Sequence, residues 1–141
     1  MACYLRASGP AFDVDAFVSS SPLTWNPVWR RGERRKVSLK NRPAEHADSG
    51  ITTLVADNGD NLNDLVPGAI AFLRGNEVEM GRLATHPGVE QVVLDFGVAW
   101  YEDMAAQFSR LPPDLIKLAA RHGFGIEISH YATAREQAQS E

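Results

Sequence analysis

Gln91-Val-Val-Leu-Asp-Phe-Gly-Val-Ala-Trp-Tyr101 carries apolar side chains at Val92, Leu94, Phe96, Val98 and Trp100. A period of two belongs to an extended chain, whose successive side chains point to opposite faces, so this stretch predicts a central strand with one face in a core. Beyond it, residues 104 to 109 are expected to form a partner strand. Pro112-Pro113-Asp114 opens a helix in which Leu115, Ile116, Leu118 and Ala119 make one apolar stripe, and Gly123 stands where helices often end. Phe124, Ile126, Ile128 and His130 then alternate with polar residues, which predicts a last strand with His130 on its inward face.

On the N-terminal side, Leu65, Val66, Ala69, Ile70 and Leu73 recur at helical spacing, with Asn61 or Asn63 as the cap. Pro67 is tolerable only in the first turn of that helix. Glu77 to Ala84 predicts a second, short helix before His86-Pro-Gly88. Ile51-Thr-Thr-Leu-Val55 is rich in β-branched residues and closes at Asp57-Asn-Gly-Asp60, a strand followed by a turn. Lys36-Val-Ser-Leu-Lys40 reads as an edge strand, with Val37 and Leu39 inward and the lysines resisting unwanted pairing. Residues 2 to 7 form a first strand ending at Ser8-Gly-Pro10, and Asp13 caps a short helix that turns Phe12, Phe17 and Val18 inward.

The sum is an α+β fold: one domain over residues 1–131, a largely antiparallel or mixed sheet with helices packed on one face, and a polar C-terminal tail over 132–141. At 141 residues, with 44% hydrophobic and 23% charged side chains, the chain can form one ordinary core. A single cysteine, Cys3, excludes an intrachain disulfide and a cysteine-rich zinc site. Arg6 and Asp13 interrupt the apolar residues near the start, and Leu65 to Leu73 is too short to cross a bilayer, so the expected location is cytoplasmic, with no membrane partner.

The order of elements resembles an uncharacterised bacterial domain-of-unknown-function family. The residues that carry the likeness are Arg31-Gly32-Glu33, in a basic-Gly-Glu loop, and the terminal helix-strand block from Leu115-Ile-Lys-Leu-Ala119 through Ile126-Glu-Ile-Ser-His-Tyr131. Gly50-Ile51 departs from the family pattern, in which Trp opens that strand. The resemblance implies an α+β fold over nearly the whole chain and no particular activity.

Chemical motifs are sparse. The Gly-x-Ser-x-Gly elbow is absent, Gly75 to Gly81 lacks the P-loop ending, Gly123-Phe-Gly125 lacks a third glycine, and His46, His86, His122 and His130 have no metal-presetting spacing. No catalytic set, metal site or cofactor is expected. Net charge is −4, yet residues 30–42 hold seven basic residues against one acid, a local +6 that leaves −10 on the rest. Trp25 and Trp29 run into Arg30, Arg31, Arg34, Arg35 and Lys36, which combines aromatic faces with positive charge. The competing structural role is a loop anchored by its tryptophans, with its arginines paired to the acidic body.

The leading expectation is therefore a non-enzymatic domain that binds another protein through this loop, since Trp and Arg are favoured interface anchors. Nucleic-acid binding through residues 30–42 is the alternative, disfavoured by the acidic total. A third possibility is a small enzyme using Asp95 and Glu127, with Tyr131 and Arg6 nearby, on the sheet face opposite the core. A homodimer is compatible with all three.

Overall fold

The computed structural model describes residues 1–135; the part of the expected tail from 136 to 141 lies outside the described residues. In chain order the elements are β1 (Cys3–Gly9), α1 (Val14–Ser19), β2 (Val28–Trp29), β3 (Ser49–Ala56), α2 (Leu62–Gly75), α3 (Glu77–Ala84), β4 (Gln91–Tyr101), α4 (Pro113–His122) and β5 (Gly125–Thr133). They form one α+β domain around a mixed five-stranded sheet of order β2-β3-β1-β4-β5. Neighbours are antiparallel except β4 and β5, which run parallel because α4 supplies the crossover between them. None of the described helices is long and apolar enough to cross a membrane.

Alternation decides which face of the sheet is covered. Cys3, Leu5 and Ala7 of β1 and Leu94, Phe96 and Val98 of β4 point into a core closed by Leu65, Ala69 and Leu73 of α2, Met80 and Leu83 of α3, and Leu115 of α4. The intervening side chains Tyr4, Arg6, Asp95, Glu127 and Tyr131 share the opposite face, where the exposure of Tyr4 and Tyr131 shows it open. Asp13 caps α1 by accepting from the Ala16 N–H at 3.1 Å. Asn61 caps α2 by accepting from the Asp64 N–H at 3.0 Å.

Five expectations are corrected. Residues 104 to 109 form no strand: β1 and β5 already flank β4, so neither side of β4 is left for a partner. Asn63 ties that segment down instead, donating to the Phe108 carbonyl at 3.1 Å and accepting from the Arg110 N–H at 3.2 Å. Lys36 to Lys40 is likewise not a strand. Val28–Trp29 takes the edge of β3, and Val37 and Leu39 stand 67% and 47% exposed. Pro67 is the sixth residue of α2, past the first turn, where burial of the helix against the sheet outweighs one lost backbone bond. β5 continues past Tyr131 to Thr133 because its pairing with β4 extends to Tyr101, so the domain runs beyond 131. His130 is exposed rather than inward. It occupies the edge strand, covered on one flank only, and meets the similarly exposed Trp100 edge-on with ring centres 5.9 Å apart.

Candidate functional site

The basic segment is an arm. Gly32 donates to the His46 carbonyl, His46 to that of Glu33 and Arg35 to that of Ala44, each at 2.8 Å, so residues 32–35 and 44–46 run as a narrow ribbon with 36–43 as its tip. Its root is β2, where the Trp29 indole lies over Gly50, donates to Asp48 Oδ1 at 3.2 Å and stacks on His46 with ring centres 5.8 Å apart. Trp25 has a different role. It is buried in the core, donates to Ser21 Oγ at 2.8 Å and packs edge-on to Phe17, so it anchors the preceding loop and presents no recognition surface. Ser21 in turn donates to Glu79, whose other partner, Arg82, lies 3.9 Å above the Phe17 ring.

The cations of the arm divide the same way. Arg30 is consumed by Asp15 and Glu33, at 2.5 and 3.3 Å. Hydrogen bonding from Arg30 holds the Asp15 carboxyl below its usual range, and the same bond, with Glu33, raises Arg30. Among the described residues, no carboxylate lies within 4 Å of Arg31, Arg34, Arg35, Lys36, Lys40 or Arg42. Arg34, Arg35 and Lys36 instead rim a groove of about 220 Å³ walled by Pro27, Val28, Trp29, Val37, Leu39 and His46, with Glu33, already paired with Arg30, as its one acid. Sequence reasoning placed the cations but missed the groove, because Val37 and Leu39 look inward-facing at strand spacing. His46 carried no local signal; only the ribbon brings it to Trp29.

On the open sheet face the register sets Asp95 beside Glu127 across the β4–β5 pair. Two adjacent carboxylates repel, and Arg6 from β1 bridges them, reaching Asp95 at 3.3 Å and Glu127 at 3.0 Å. Ser129 donates to the second Asp95 oxygen at 2.8 Å. The adjoining cleft, about 300 Å³, is lined by Tyr4, Asp95, Gly97 and Tyr131 but not by Glu127. Both carboxylates are therefore engaged by one guanidinium, an arrangement that stabilises the sheet face more readily than it performs acid–base chemistry. Arg6→Met is expected to cost about 1 kcal/mol in urea unfolding, a small figure because Arg6 and Glu127 are partly exposed. Adding Glu127→Gln to that variant should restore most of the loss; no restoration would mean that the repulsion is already screened.

Cys3 is buried in the core, where desolvation and then the charge of Asp95 push its thiol up to about 12, so it is no nucleophile at neutral pH. His86 packs edge-on against Phe12 and Phe17, and His122 leans on Phe124. No group of three metal-ligating side chains converges among the described residues. Compared with known proteins, the chain matches no family model, no curated protein and no solved structure.

Proposed function

We propose that this domain is a protein-binding module that grips an acidic segment of its partner. The partner's carboxylates sit against Arg31, Arg34, Arg35 and Lys36, and one apolar side chain enters the Trp29 groove. The observation that carries this reading is the set of arm cations left without carboxylate partners around an apolar groove, on a chain that has acids to spare elsewhere. Charge around a desolvated aromatic anchor steers and orients a binding partner. The acidic remainder of the molecule disfavours a nucleic acid wrapped over a larger surface.

The test is calorimetric titration with a synthetic Asp/Glu peptide carrying one central Leu. Binding is expected for the unaltered chain and should be lost when Arg34, Arg35 and Lys36 are all changed to Glu. Leu39→Ser should weaken it about tenfold, the cost of one lost apolar contact. Equal affinity for the charge-reversed chain would sink the reading. Preferential capture of an oligonucleotide, with affinity falling steeply as salt rises, would replace it with nucleic-acid binding.

A further inference from the structure

The two edges of the sheet are built differently. β2 offers two residues, flanked by the cationic arm, and so is too short to template another strand. β5 offers nine residues, Gly125-Ile-Glu-Ile-Ser-His-Tyr-Ala-Thr133, with no lysine, arginine or proline and an unbroken register against β4. Lysine, proline and bulges are devices by which a sheet edge is ordinarily protected, and β5 has none of them, with Glu127 as its one acid. Among the described residues, no backbone outside the sheet bonds to its N–H or C=O groups. Ile126 and Ile128 also remain only half-buried at this flank, although they pack on the core.

We propose that β5 pairs antiparallel with β5 of a second copy of this chain. The register that overlaps the whole strand is centred on Ser129. It sets Gly125 opposite Thr133, Ile126 opposite Ala132, Glu127 opposite Tyr131 and Ile128 opposite His130 of the second copy. Every pair keeps the same face, as continuity of the two sheets requires. The strand's one acidic side chain meets a phenol that can donate to it, whereas a shift of the centre to Glu127 would set that carboxylate against itself. Self-complementarity about a two-fold axis is what a closed dimer needs, and here full overlap and charge avoidance select one register. The half-covered isoleucines gain cover from the second copy, and the two open faces join into one surface.

Molar mass by sedimentation velocity over a concentration series tests this, with Tyr131→Glu and Tyr131→Lys as a matched pair. Tyr131 is exposed and both variants remove its ring, so only the sign of the charge opposite Glu127 differs. Circular dichroism melts check that both remain folded. The unaltered chain is expected to be a dimer, and Tyr131→Glu should dissociate about tenfold more readily than Tyr131→Lys. Ser129→Cys should form a disulfide-linked dimer under mild oxidation, since opposed side chains stand about 4.5–5.5 Å apart at Cβ, while Thr133→Cys, opposite a glycine, should not. Buried Cys3 does not compete. A monomeric mass at every concentration would overturn the proposal and leave the edge to a strand of another protein. Equal dissociation of the Glu and Lys variants would overturn it as well.

Discussion

Gly50→Ala is expected to abolish about 99% of the affinity for an acidic peptide, a hundredfold loss of the size found when an aromatic anchor is removed. A methyl group at position 50 would lie 2.1 and 2.5 Å from two Trp29 ring atoms and 2.8 Å from the Ala7 carbonyl oxygen. The oxygen is backbone and cannot turn aside, so the indole must move. Moving it breaks the Asp48 hydrogen bond and the His46 stack and loosens the Trp29 end of β2, leaving the segment held to β3 by the Val28↔Ile51 pair and the backbone bonds between Asn26–Pro27 and Thr52. The domain itself should lose only about 1–3 kcal/mol, because β2 is an edge. Calorimetry and urea unfolding on one preparation separate the two effects; unchanged affinity would show that Trp29 is not the anchor.

The largest loss of stability is expected from Gly88→Ala, about 3–5 kcal/mol, with the melting temperature falling on the order of 10–15 °C. Gly88 holds φ at +85°, and its added Cβ would stand 2.2 Å from the Ala11 carbonyl oxygen. The contact is reciprocal in kind, since a Cβ on Gly9 would meet the Gly88 oxygen at 1.9 Å. The turns after β1 and before β4 thus cross at backbone distance, and Glu90 donates to the Ser8 carbonyl at 3.0 Å just where the two strands begin to pair. Gly81→Ala, in α3 with nothing within 4 Å of the new methyl, is the control and should stabilise by about 0.5–1 kcal/mol. Similar effects at the two positions would show that the turns yield.

The long β4 alternation, the α2 and α4 stripes and the Asp13 cap were readable because each is a local pattern imposed by one buried face. The misread segments share a different property. Residues 104 to 109 and 36 to 40 have plausible strand sequences, but a strand also needs a partner with an open side, and the nearest ones, β4 and β3, are already paired by β1, β5 and β2. His130 and Trp100 kept the inward parity of their strands and still emerged exposed, since parity chooses a face and not the extent of its cover.

The candidate site divides along the same line. Residue types alone located the cationic stretch, the paired tryptophans and the carboxylates Asp95 and Glu127. Only tertiary contacts sent Trp25 to the core and left Trp29 half-buried at a groove wall, matched Arg30 with Asp15, left Arg34, Arg35 and Lys36 around that groove, and drew Arg6 between the two acids. Charge and hydrophobicity are properties of a residue, legible one position at a time. Pairing and enclosure are properties of a neighbourhood, and here the partners of Arg6 and Asp15 come from distant parts of the chain, while the groove closes only because the ribbon folds residues 27–46 back on themselves.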